Sequence, residues 1–384
     1  MAKKKILIFN GYYHPAQNYG GPIASVENVI NNCYDRYDFY IVCYNHDFGN
    51  DTPFKVALNK WIKIKNVNVM YVKNGYLDFS LKRMKLLLND LKPNIIWFSG
   101  VLTPNNKLVV SLIANRLHIP LLFSPRGELS ADRVKIKAYK KIPYLKIINF
   151  LGVYKNAYFH ATSRDEVEGI NRFFKPKKNH IFEIANISMD KQSNEYCIEK
   201  KEGYLRLFFY SRIHEVKNLL FAIEKVIQCK QKIEFDIYGP IESKAYWEKC
   251  EKVIKMAPEN VRIRYCGILE GRDKNKVIQK HECLIFPTLN ENYGHVIAET
   301  LANSRPVILS KDTTPWNDLD HKAGFVIPLC EDKKFTDTVD SIAKLNSKEF
   351  FKLTCNVSDY FDNKMKKNNA VIEHLNMFER IMKK

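Results

Sequence analysis

Two cations and two carboxylates in the second half of the chain are spaced to meet a ligand that carries both phosphate and hydroxyl groups. Arg212 and Lys217 lie within Ser211-Arg212-Ile213-His214-Glu215-Val216-Lys217-Asn218, between a buried apolar run and an amphipathic one. There, two cations can converge on one diphosphate and neutralise it without a metal; the plainer alternative is a pair of solvated side chains. Glu291 and Glu299 bracket Asn292-Tyr293-Gly294-His295-Val296-Ile297-Ala298, and a helix is predicted to start near Gly294 and His295. The free amides and positive end of such a helix suit phosphate or sugar oxygens. Glu299, about one turn in, tilts back toward the same end, so the two acids can hold separate diols. The plainer alternatives are an exposed helix carboxylate for Glu299 and an ordinary loop residue for Glu291.

Two weaker segments lie in the first half. Gly20-Gly21-Pro22 precedes a predicted helix, where backbone can approach a ligand closely. A plain tight turn fits it equally well. It is not a G-x-G-x-x-G fingerprint, and no acid is placed to read a ribose, which speaks against a nicotinamide-dependent dehydrogenase. Arg126 stands in Ser124-Pro125-Arg126-Gly127-Glu128-Leu129-Ser130 at the end of a predicted strand, placed either to meet an anion or to pair with a neighbouring carboxylate in a surface turn.

All four segments need strands that end beside them. Short apolar runs at 4–9, 38–43, 67–71, 94–98, 120–124 and 158–161 read as strands, with amphipathic helices such as 80–91 between them. Ser163 to Glu166 reads as a capping box opening another helix. After a polar break, runs at 205–210, 233–238, 261–265, 283–287 and 306–309 alternate with helices at 219–228, 244–256 and 295–303. Alternation of this kind predicts an α/β protein of two doubly wound, Rossmann-like parallel-sheet domains facing a cleft. The domains are expected over residues 1–190 and 204–364, with a linker over 191–203. A terminal helix over 365–384 then packs on its own domain or back across the linker.

Composition bounds the partners. The 384 residues carry 61 Lys+Arg against 42 Asp+Glu, a net charge of +19, with 46% hydrophobic residues. That is globular composition. The apolar runs fall far short of the roughly 20 residues a membrane span needs. The basic start is followed by too short an apolar run for a signal peptide, so the protein is expected in the cytoplasm. Nine scattered cysteines form no C-x-x-C pair, so buried free thiols are expected and no metal site. No nucleic-acid-binding signature accompanies the charge. Nucleic acid is therefore not expected as a partner, although a basic anion- or nucleic-acid-binding protein stays open as the non-enzymatic alternative. Arg133, Lys135, Lys137, Lys140, Lys141 and Lys146 interleave with apolar residues from Val134 to Ile148. This stretch is expected to dock at an anionic membrane surface, or else to be a solvated helix with a core-facing stripe.

Together these segments resemble the retaining GT-B glycosyltransferases of family 4, of the capsule, lipopolysaccharide and exopolysaccharide type. Glu291 to Glu299 is similar to the family's E-x7-E motif, and Arg212 with Lys217 to its R-x4-K element. Ser124 to Leu129 resembles S-P-R-G-E-L, Ala302-Asn303-Ser304-Arg305-Pro306-Val307 resembles A-C-G-x-P-V, and Thr314-Pro315-Trp316 resembles T-P-W. Gly20-Gly21 matches the N-terminal glycine loop. Asn303-Ser304 replaces the usual Cys-Gly, and Ser99-Gly100 stands where many relatives carry a His.

The resemblance implies a nucleotide-diphosphate sugar donor, UDP-sugar ahead of GDP-sugar, and a saccharide or lipid-linked acceptor. It implies metal-independent transfer with retention, in bacterial surface polysaccharide synthesis. Arg212 and Lys217 would neutralise the leaving diphosphate, and Glu291 would hold donor-sugar hydroxyls. Amides of Asn292, Tyr293, Gly294 and His295 would face the sugar or phosphates, and Glu299 the ribose. Gly20 and Gly21 would approach the phosphates, and Arg126 the acceptor or phosphates. A GT-B epimerase or phosphorylase is the enzymatic alternative.

Overall fold

The computed structural model describes residues 2–73, 81–102, 107–129, 134, 138–188, 199–269, 274–367 and 369–383. It divides into two compact units, one over residues 1–187 and 368–384, the other over 188–367.

The first unit follows the chain through β1 (Lys4–Phe9), α1 (Gly21–Cys33), β2 (Tyr37–Tyr44), β3 (His46–Asp47), β4 (Asn50–Pro53), β5 (Trp61–Ile64) and β6 (Val67–Val72). It continues through α2 (Leu81–Leu91), β7 (Ile95–Ser99), α3 (Lys107–Arg116), β8 (Leu121–Ser124), α4 (Ala138–Phe150), β9 (Tyr158–Ala161), α5 (Arg164–Phe173) and β10 (Ile181–Glu183). Eight strands form one sheet in the order β10-β9-β8-β7-β1-β2-β6-β5. The central strands are buried along almost their whole length, as Ile95–Ser99 illustrates. That is why they read as continuous apolar runs. β5 pairs antiparallel to β6, so the sheet is mixed at one edge where a wholly parallel one was expected. The β3–β4 hairpin and the edge strands β5 and β10 are short and mostly half-exposed, and the sequence pattern gives them no signal.

The second unit contains β11 (Tyr204–Tyr210), α6 (Leu219–Val226), β12 (Lys232–Tyr238), α7 (Lys244–Ile254), β13 (Val261–Tyr265), α8 (Lys274–Lys280) and β14 (Cys283–Phe286). It ends with α9 (His295–Ala302), β15 (Val307–Ser310), β16 (Gly324–Ile327), α10 (Asp332–Lys344) and α11 (Ser347–Lys367). Its six strands run β13-β12-β11-β14-β15-β16, every pairing parallel. The strand order reverses between β11 and β14. A crevice at the carboxyl ends of those two strands is where a doubly wound sheet binds its ligand.

Three expectations look different in the structure. Lys200, in the predicted linker, is buried in the second unit, its Nζ donating to the carbonyls of Lys201, Tyr204 and Ala343 at 2.6–2.8 Å; residues 191–198 of that linker lie outside the described residues. The helix predicted over 365–384 is in fact the end of α11 and a separate α12 (Ala370–Met382). α12 belongs to the first unit, where Phe378 packs edge-on to Tyr37 at 5.4 Å. Of the eight described cysteines, Cys266, Cys330 and Cys355 are exposed rather than buried. All eight are free thiols; Cys197 lies outside the described residues.

Candidate active site

The loop after β11 and the loop after β14 border the switch point of the second unit, and each is held to the other. Leu289 N donates to Val216 O at 2.8 Å, Thr288 Oγ1 to the same carbonyl at 3.1 Å, and Asn218 Nδ2 to Pro287 O at 3.0 Å. Asn218 can do this because it adopts the left-handed conformation (φ 57°) between the 3₁₀ turn Glu215–Lys217 and α6. Asn is among the few residues that accept it at low cost.

This lacing brings Lys217 and Glu291 together. Lys217 is buried on the 3₁₀ turn, its Nζ 5.6 Å from the centre of the Phe286 ring and in a short charge-assisted hydrogen bond to Glu291 Oε2. Burial pushes the Glu291 carboxyl up, but Lys217 beside it, then His295 and Arg212, outweigh this and hold it below its usual value. The sign follows. The stabilisation from this pair is fully present above the ordinary Glu range and is lost only as pH falls through the lowered value. At neutral pH the site holds an ionised acid among three groups of positive or potential positive charge.

Gly294 caps α9 with φ 79° and no side-chain cap. A Cβ at Gly294 would lie 2.7 Å from Ile297 Cδ1 and 3.3 Å from Glu291 Cγ, so a side chain there would push on the carboxylate as well as strain the backbone. The loop is propped from below by the Thr314-Pro315-Trp316 stretch. Glu291 N donates to Thr313 O at 2.7 Å, and buried Trp316 donates from its indole nitrogen to Tyr293 O, with the two rings 5.6 Å apart. Tyr293 also meets His295 ring to ring at 4.9 Å and hydrogen-bonds the Ser188 hydroxyl.

Glu299 is brought to the same end of the sheet but not to the same cation. It is buried on α9 and accepts from Lys274 Nζ at 2.5 Å, while that ammonium lies 5.5 Å from the Tyr210 ring at the end of β11. Arg212 in turn donates from Nη1 to Glu242 at 2.5 Å. The two predicted acids and the two predicted cations thus gather around the β11–β14 switch point. Lys274, Tyr210 and Glu242 join them without any local sequence signal, being ordinary residues whose meaning comes from partners 25 and 30 positions away. Ser304, where the resemblance places a glycine, keeps the left-handed conformation (φ 54°) just after α9.

Gly20, Gly21 and Arg126 belong to the first unit. Gly20 is the exposed N-cap of α1 and Gly21 its first residue. Arg126 turns the chain after β8 and donates from Nη1 to Asn186 Oδ1 at 2.7 Å; its buried Nε and Nη2 have no hydrogen-bond partner among the described residues. Burial lowers its pKa to about 10, with Glu166 and Tyr19 acting the other way. Glu166, predicted as part of a capping box, takes a further task. Its amide is capped by Ser163 Oγ at 3.4 Å, while its carboxylate accepts from Thr162 N at 2.7 Å and from Gly127 N, which holds the Arg126 turn. Beyond Ser99, the carbonyl of Gly100 accepts from buried Lys107 Nζ at 2.7 Å, and the amides of Val101 and Leu102 donate to Glu128 Oε2 at 2.5 and 2.6 Å. Thr103, Pro104 and Ser130 lie outside the described residues. Among the described residues no group of three or more His, Cys, Asp or Glu could hold a metal ion.

Comparison with known proteins bears on the fold and on the second unit. Residues 205–344 match the family model described as glycosyl transferases group 1. No curated protein matches the sequence. Among solved structures, the chain is similar to Alr3699/HepE of Anabaena in complex with UDP-glucose (TM-score 0.71, 15% identity, 99% of this chain and 100% of that one). It is similar to sucrose-phosphate synthase of Thermosynechococcus elongatus (0.74, 12%, 99% and 100%) and to WaaG, a glycosyltransferase involved in lipopolysaccharide biosynthesis (0.65, 11%, 98% and 99%). The fold is GT-B, with two Rossmann-like parallel-sheet domains.

Proposed function

With a glycosyl transferases group 1 domain over residues 205–344 as the premise, we propose that this protein transfers a sugar from a nucleotide-diphosphate donor to a saccharide or lipid-linked saccharide acceptor. The observation that carries the reading is the Lys217–Glu291 pair with Arg212 beside it, at the switch point of the second sheet. When the bond from the anomeric carbon to the diphosphate breaks, negative charge grows on the leaving oxygens. Lys217 and Arg212 stabilise it there, so no metal is required. Glu291 accepts hydrogen bonds from donor-sugar hydroxyls, and Glu299, held by Lys274, accepts from the ribose. Amides of residues 292–295 face sugar or phosphate. Gly20, Gly21 and Arg126 serve the phosphates and the acceptor. The acceptor hydroxyl adds to the face the diphosphate leaves, its proton passing to a leaving-group oxygen, and the configuration is retained. UDP is the favoured nucleotide and GDP the second. HepE, a similar structure, was solved with UDP-glucose bound. Surface polysaccharide synthesis at the inner face of the cell membrane fits the basic charge, and WaaG offers a structural parallel.

The test is nucleotide release from a panel of UDP- and GDP-sugars, with and without saccharide acceptors. Release of UDP or GDP that depends on the acceptor and is unaffected by EDTA supports the reading. No release with any donor contradicts it.

Docking at an anionic bilayer is part of the same reading. No helix among the described residues is long and apolar enough to cross a membrane. α4 buries Leu145 and Ile148 but leaves Tyr139 72%, Ile147 58%, Phe150 91% and Leu151 just beyond it 56% exposed, beside exposed Lys140 and Lys146. Apolar rings and ammonium groups on one surface suit a headgroup boundary. Arg133, Lys135 and Lys137 lie outside the described residues. The protein is expected to co-sediment with phosphatidylglycerol vesicles, less so in high salt, and Phe150→Ser is expected to weaken this. Indifference to both anionic lipid and salt removes the idea.

A further inference from the structure

Arg212 reaches the site on a long side chain, yet the structure gives it a fixed partner. Glu242 Oε2 accepts from Arg212 Nη1 at 2.5 Å, both side chains being partly exposed. The backbones beneath them are tied together. Ile213 N donates to Pro240 O at 2.8 Å, and the amides of Glu242 and Ser243 both donate to Ile213 O at 3.2 Å. Ser243 Oγ donates to Glu215 at 3.0 Å. The loops after β11 and β12 are therefore laced together, and the ion pair spans them. Glu242 holds one nitrogen of the guanidinium and leaves the rest of the fork to other acceptors.

We propose that Glu242 is a positioning residue that orients Arg212 for the pyrophosphate of the nucleotide; this rests on the donor-site reading above. Simple charge argues the other way. A carboxylate near a bound anion repels it, so on electrostatics alone Glu242→Gln would tighten binding. Preorganisation argues for loss, because a guanidinium freed from Glu242 must be ordered when the ligand arrives. The sign of the effect decides between them.

The experiment is calorimetric titration of the full chain with UDP, GDP and inorganic pyrophosphate, using uridine as a phosphate-free probe followed by NMR. The variants are Glu242→Gln, Glu242→Asp, Arg212→Ala and Arg212→Ala with Glu242→Gln. Glu242→Gln is expected to weaken the diphosphate ligands by about tenfold while leaving uridine unchanged. Glu242→Asp is expected to recover part of the loss, and Glu242→Gln to add nothing in the Arg212→Ala background. Unchanged or tighter binding by Glu242→Gln overturns the proposal. So does an equal loss for uridine, or an equal loss in the Arg212→Ala background. If Arg212→Ala itself leaves all three diphosphate ligands unaffected, the donor-site reading falls and this proposal with it.

Discussion

Lys217→Ala is expected to lower the rate of sugar transfer by about a hundredfold to a thousandfold, and Arg212→Ala to remove most of the transfer as well, the scale seen when one charge-stabilising donor is taken from a transition state. The two variants should differ in stability. Arg212 pairs with Glu242 at a partly exposed position, where an ion pair contributes about 0–1 kcal/mol, so that variant should melt close to the wild type. Lys217 is buried, and its loss leaves Glu291 without its nearest cation. The Glu291 carboxyl would then titrate upward under the influence of burial, and that variant should be measurably less stable. Urea melts alongside initial-rate measurements separate the two effects. Near-normal turnover in both variants, with the fold intact, would remove the phosphate assignment.

Gly239→Ala is expected to be the most damaging single methyl group in the second unit. Gly239 follows β12 with φ 129°, a conformation that a side chain rarely adopts. Its added Cβ would lie 1.9 Å from Ser211 O and 2.6 Å from Ser211 C. Those are backbone atoms of the residue before Arg212, so no rotamer change relieves the clash. Gly239 is also fixed on both sides, donating to Gly267 O at 2.8 Å and accepting from the Tyr265 hydroxyl at 2.9 Å. The loop carrying Arg212 must therefore move. We expect a loss of more than about 3 kcal/mol in the unfolding of this unit, with donor binding lost beyond what the destabilisation explains. Wild-type stability in a denaturant melt together with wild-type UDP affinity would contradict the packing described for these two loops.

Much of this was readable in the chain, for identifiable reasons. Strands such as β1 and β14 are buried on both faces, so their apolar runs are unbroken and locate themselves. The segment at the carboxyl end of β14 carries Glu291, Gly294 and Glu299, which lie at the switch point of the second unit. What stayed hidden depends on contacts far apart in sequence. β5 and β10 are short edge strands with part-exposed faces, which blurs their period. Lys274 and Glu242 are unremarkable in a chain rich in both residue types until Glu299 and Arg212 are placed beside them. Trp316 was visible as part of a motif, but its role beneath Tyr293 was not.

The most direct measurement is a crystal structure of the protein soaked with UDP or GDP. The diphosphate should lie between Arg212 and Lys217, with the ribose hydroxyls on Glu299 and the first turn of α9 facing the phosphates or the vacant sugar position. A nucleotide bound away from the β11–β14 switch point, with these side chains untouched, would contradict the account.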